Sequence, residues 1–149
     1  MGVSTIDGTV EAVVLKRARR NVRVYERVTF RLADGSSKSI AKAVVEAKVA
    51  ELLMPGTSGR FYLYTGFDHR GIHGVRDAQG RAVFGFAKAN ETAMLVVVII
   101  ALAMVGFYLA ILDALSIWGI LLLILGVPAY FLYRRTRLEA ERQFEADNR

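Results

Sequence analysis

From Ala93 to Tyr133 the chain carries one charged side chain, Asp113. On either side of it lie apolar runs of 20 residues, 93–112 and 114–133. At about 1.5 Å rise per residue each run makes a helix about 30 Å long, the thickness of a bilayer's hydrocarbon core. One helix over both runs would be about twice that length, so the chain is expected to reverse at 112–116. The expected spans are 93–112 and 116–133. Asp113 and Ser116 are the turn residues, either of which can cap the second helix. An intramembrane role for Asp113 competes with this reading. Burial there costs about 2.5–3.5 kcal/mol, which a turn position avoids.

Trp118 stands one turn inside the second run, and Tyr130, Phe131 and Tyr133 form an aromatic belt before Arg134, Arg135 and Arg137. With Lys88 in front of the first run, these cations predict that both termini lie on the cytoplasmic side. Gly106 and Ala110 on the first helix, and Gly119 and Gly126 on the second, are the expected packing residues, because small side chains let backbones approach. Homodimerisation through the same residues is the alternative. Pro128 is expected to kink the second helix.

The first 88 residues change period. Residues 8–15 and 22–32 read as strands, and 22–32 alternates. Val22, Val24, Val28, Phe30 and Leu32 are assigned to one face, and Arg23, Tyr25, Arg27, Thr29 and Arg31 to the other. Ala33-Asp34-Gly35-Ser36 turns the chain into a short strand at 37–40. A helix is expected over 41–54, ended by Pro55-Gly56. Residues 60–66 read as a strand, and Asp77-Ala78-Gln79-Gly80 as the turn between strands 71–76 and 81–86.

Three strands, a helix and then two or three strands is the order of an OB-type Greek-key barrel, with an SH3-like barrel as the alternative. The fold class expected is therefore α+β: a small OB-like barrel with one helix (1–88), a two-helix transmembrane hairpin (89–133) and a charged, solvated helical tail (134–149). At fold level this resembles bacterial membrane proteins that combine an OB-like domain with a few spans.

Charge sharpens the picture. Residues 1–90 hold 15 Lys or Arg against 8 Asp or Glu, so the barrel carries the positive excess. That favours an anionic partner, either a lipid surface or nucleic acid, or else reflects ordinary positive-inside bias. Without cysteine, disulfides and zinc–thiolate sites are excluded. The first ten residues lack the basic-then-apolar order of a secretory signal, and Ile6 departs from the myristoylation pattern. The expected location is a bacterial-type inner membrane.

Candidate chemistry is sparse. Asp68, His69 and His73 are the one cluster resembling a metal or acid–base set, but Gly71 and Gly74 argue against the helix that would align the histidines. No nucleophile elbow, phosphate loop or carboxylate pair is present. No catalytic residue, metal or cofactor is expected. The expected contact surface is Arg19, Arg20, Arg23, Tyr25, Arg27 and Arg31 with Tyr62 and Tyr64, a basic and aromatic set of the kind OB domains offer to single strands. The expected function is a non-enzymatic interaction or adaptor module. Its partners are the bilayer, together with a membrane or cytoplasmic protein or a second copy of the chain. The alternatives are a membrane-tethered single-strand binder and an accessory subunit of a membrane enzyme or transporter.

Overall fold

The computed structural model describes residues 2–66, 70–112 and 114–147. The elements follow in the order β1 (Gly2–Ala18), β2 (Val22–Leu32), β3 (Ser37–Glu46), α1 (Ala47–Ala50), β4 (Ser58–Thr65), β5 (Arg70–Asp77), β6 (Ala82–Phe84), α2 (Ala89–Leu112) and α3 (Ile117–Ala146). Two compact units result, Met1–Ala87 with Thr136–Arg149, and Lys88–Arg135.

The first unit is a closed five-strand barrel. β1 is long enough to serve two neighbours: residues 2–9 pair with β4, and residues 8–18 pair with β2. β2 pairs with β3, and β4 with β5, all antiparallel. A short parallel pairing of β3 with β5, Ala43–Val45 against Arg70–Ile72, closes the ring. Gly71 makes that seam possible, since a Cβ there would stand 2.2 Å from the Val44 carbonyl oxygen. β6 then adds to β5 beyond the seam. Inside lie Ile6, Val10, Tyr25, Val28, Phe30, Val45, Phe61, Leu63, Ile72 and Val75. Full burial of each aliphatic or aromatic side chain contributes about 1.5–3 kcal/mol.

Both expected turns form. Asp34 accepts hydrogen bonds from the Ser36 amide and hydroxyl, with Gly35 at φ 81°. Asp77 accepts from the amides of Gln79 and Arg81 and from the Arg81 guanidinium. The helix expected over 41–54 is mostly strand: β3 runs to Glu46, and only Ala47–Ala50 is helical. Ala43 and Val45 alternate into the core between two strand neighbours, and that pairing outweighs helical spacing.

The second unit contains two helices long and apolar enough to cross a membrane. Ser116 accepts the Gly119 amide at 3.2 Å and so caps α3. Asp113 lies outside the described residues. Gly119 and Gly126 face α2: a Cβ on Gly119 would meet Val105 at 2.7 Å, and one on Gly126 would meet Val98 at 3.3 Å. Gly106 and Ala110 are not part of this contact. A Cβ on Gly106 meets nothing, Ala110 is exposed, and Ala101 is the buried small residue on α2.

Candidate functional site

Two regions of the barrel unit concentrate basic and aromatic residues. The first is the β1–β2 hairpin. Its turn is closed by the Arg19 amide donating to the Val22 carbonyl at 2.8 Å. From Val14 to Tyr25 the hairpin carries Lys16, Arg17, Arg19, Arg20 and Arg23 and no acid. Among the described residues none of these five is in an ion pair, and all but the half-buried Arg23 are exposed. Val14 and Leu15, 49% and 48% exposed, lie beside them. The hairpin thus carries exposed cations toward its turn and exposed aliphatic surface nearer the barrel.

The expected arginine face of β2 is not continuous. Tyr25 is 4% exposed and belongs to the core, where burial raises its pKa. The cause is a bulge. Val14 pairs with Arg27 and Leu15 with Tyr25, leaving Glu26 as an extra residue. Opposite it on β3, Lys42 takes φ 54°. Two consecutive residues therefore point outward in each strand, and the inward set changes from Tyr25 and Ala43 to Val28 and Ile40. Arg27 and Arg31 are outward beyond the bulge, while Arg23 sits before it. Arg31 is committed to Glu11, which also accepts from Ser37.

The second region is the outer face of β4, β5 and β6. Tyr62 and Tyr64 lie here, 0% and 2% exposed, so neither offers an open contact surface. They are covered by the end of α3. Phe144 stacks edge-on to Tyr62 at 4.9 Å and packs against Phe84 at 5.4 Å. Its ring seats over Gly74, where a Cβ would come within 2.6 Å. Arg76 lies over the same ring at 4.5 Å and donates to the Phe144 carbonyl. Asp147 accepts from the Tyr62 hydroxyl at 2.5 Å and from Arg60 at 3.0 Å. Those two bonds hold its carboxyl below the ordinary carboxylate range. The tail expected to be solvated is instead docked. Ala140 and Phe144 are buried because they lie on the helix face that meets the strands.

The chain matches no family model, no curated protein and no solved structure. Function must therefore be read from these two regions alone.

The Asp68, His69 and His73 cluster does not form a described site. Asp68 and His69 lie outside the described residues, and His73 is buried under the tail. No group of three metal-ligating side chains occurs among the described residues. Sequence reasoning missed Arg60, Arg76, Phe144 and Asp147 as parts of one contact. A usable signal was present in the tail: Ala140, Phe144 and Asp147 recur at helical spacing.

Proposed function

We propose that this chain is a non-enzymatic, multi-pass membrane protein whose barrel presents its β1–β2 hairpin to an anionic surface. One observation carries the reading: five cations with no ion-pair partner among the described residues, and two exposed aliphatic side chains, on one hairpin. Each such cation near an anionic leaflet gains about 1 kcal/mol, and exposed aliphatic side chains on the same hairpin favour an interface over a purely aqueous ligand.

Other features support the setting. The strand order β1-β2-β3-β5-β4 around the barrel, with a helix between β3 and β4, supports reading the closed five-strand barrel as OB-type. The two apolar helices have their large side chains exposed, as lipid-facing residues are. Lys88, Arg134 and Arg135 flank them, and by the positive-inside rule these cations support our reading of both termini as cytoplasmic, at a bacterial-type inner membrane.

Single-stranded nucleic acid is the second reading, favoured by the OB-type strand order. Among the described residues of the barrel it finds no exposed stacking platform. Tyr25, Phe30, Phe61, Tyr62, Tyr64 and Phe86 are all buried, and Phe84 is half-buried. Stacking on aromatics supplies about 1–3 kcal/mol per base in such domains.

The test uses full-length protein in zwitterionic nanodiscs. Its binding to vesicles containing anionic lipid is compared with its binding to single-stranded oligonucleotide. Arg19→Gln, Arg20→Gln and Arg23→Gln together are expected to lower vesicle affinity roughly 100-fold, at about 1 kcal/mol per cation. Unchanged vesicle affinity removes the hairpin. Oligonucleotide binding that falls steeply with salt, without vesicle binding, replaces the lipid reading with the nucleic-acid one.

A further inference from the structure

The docked tail covers a group that neither the barrel nor the hairpin needs. His73, at the centre of β5, is 0% exposed. Four rings enclose it: Tyr62 and Tyr64 at 6.1 Å, Phe84 at 5.8 Å and Phe86 at 6.4 Å. The tail helix closes the remaining side with Ala140 and Phe144. The Ala140 backbone carbonyl faces the ring, but neither ring nitrogen makes a well-formed hydrogen bond among the described residues. An imidazole buried among rings, with a backbone carbonyl as its polar neighbour, is favoured there in its uncharged form.

We propose that residues 136–147 form an acid-released latch, held closed over the aromatic face of β4–β6 by neutral His73 and opened when that imidazole takes a proton. Opening uncovers Tyr62, Tyr64, Phe84 and Phe86 between Arg60 and Arg76, an aromatic surface edged by cations. The latch stands independently of what the hairpin binds.

Among the described residues, the ion pairs and hydrogen bonds near His73 join its charged neighbours to one another rather than to the ring, and Glu139 lies beside Ala140 on the tail. On β4, Arg60 is held by Asp7 and Asp147. On β5, Arg76 binds the Phe144 carbonyl and the Tyr62 hydroxyl, and Asp77 is held by Arg81. Glu46 and Lys48 pair with each other beside Gly85, between Phe84 and Phe86. On the tail, Arg137 pairs with Glu141, and Asp147 faces Tyr62 and Arg60. Asp7, Glu46, Asp77, Glu141 and Asp147 are thus engaged with cations or hydroxyls rather than with the ring.

Burial drives His73 from 6.5 down to about 4, and the Ala140 backbone carbonyl offsets only part of this. The open state therefore binds the extra proton. Docking is undiminished above pH 6.5 and weakens as pH falls through the window from 6.5 to about 4. At pH 5 the docking constant should be about 30-fold below its neutral value. Asp147 acts in a lower window: its carboxyl is depressed, so its contribution is lost only as pH falls below the ordinary carboxylate range.

The experiment follows amide hydrogen exchange of residues 138–146 in the full-length protein in nanodiscs from pH 7.5 to 4.5, corrected for intrinsic exchange rates. Protection is expected to fall about 30-fold by pH 5 in the native protein. In His73→Phe, which keeps an aromatic ring without a titrating group, protection should stay nearly flat above pH 4.5. An identical pH profile in both overturns the proposal. Should His73→Phe leave the tail unprotected at every pH, the imidazole is titrated directly by NMR in His69→Gln, which leaves His73 as the sole histidine. An imidazole that protonates near 6.5 while the tail stays protected overturns the latch, and one that protonates together with tail release upholds it.

Discussion

The β1–β2 hairpin and the outer face of β4–β6 look alike as sequence and differ as surfaces. Each combines arginines with tyrosines at alternating positions. On the hairpin side the tyrosine has gone into the core, and the cations before it are left without partners. On the β4–β6 side Tyr62, Arg60 and Arg76 are consumed by one helix end through Phe144 and Asp147, and Tyr64 is buried against Phe86 and Ala140. Net charge counts both regions equally. Binding to an outside partner depends on the charge left unneutralised, and the hairpin holds the densest run of it, Lys16, Arg17, Arg19, Arg20 and Arg23 with no acid between them.

The contrast can be broken or sharpened by single changes. The largest effect is expected from Gly71→Val, which forces a side chain into the Val44 carbonyl and the Tyr64 ring at the β3–β5 seam. A loss of about 4 kcal/mol in barrel stability should follow, abolishing both regions together, as thermal unfolding would register. Barrel stability within about 0.5 kcal/mol of the native protein would mean the seam is not closed as described.

Phe144→Ala comes next. Removing a buried aromatic costs about 3 kcal/mol, here mostly from tail docking. Hydrogen exchange of the tail should accelerate while vesicle binding through the hairpin stays constant. A tail that remains protected would mean that Phe144 is not its anchor.

The smallest expected effect is that of Glu11→Gln. It frees Arg31 from its exposed ion pair and adds one available cation. Vesicle affinity should rise by no more than about fivefold, the equivalent of about 1 kcal/mol. A fall in affinity would show that Arg31 does not join the hairpin's field.

Much of the architecture was legible. The two apolar runs, the Ser116 cap, the Asp34 and Asp77 turns and the order of strands around one helix are local patterns, set within a few residues of each other. The surface was less legible because it depends on non-local events. Alternation in β2 predicts Tyr25 outward, and only the bulge at Glu26 opposite Lys42 reverses it. Tyr62 and Tyr64 do point outward from the barrel, as alternation with Phe61 and Leu63 requires. Their burial comes from a helix about 80 residues later in the chain, as the Tyr62–Asp147 bond records. Gly106 and Ala110 illustrate the same limit, since small residues mark possible contacts and the partner helix selects among them.

The most direct test removes two charges from each class and compares the losses. Arg19→Gln/Arg20→Gln takes two cations without partners from the hairpin, and Arg31→Gln/Arg60→Gln takes two that are already paired. Both variants have the same net charge, and both are measured in zwitterionic nanodiscs against anionic vesicles at neutral pH. The first is expected to lose roughly 30-fold in affinity, at about 1 kcal/mol per cation, and the second less than about twofold. Equal losses would show that overall charge, rather than the open hairpin, governs the contact, and would contradict the account.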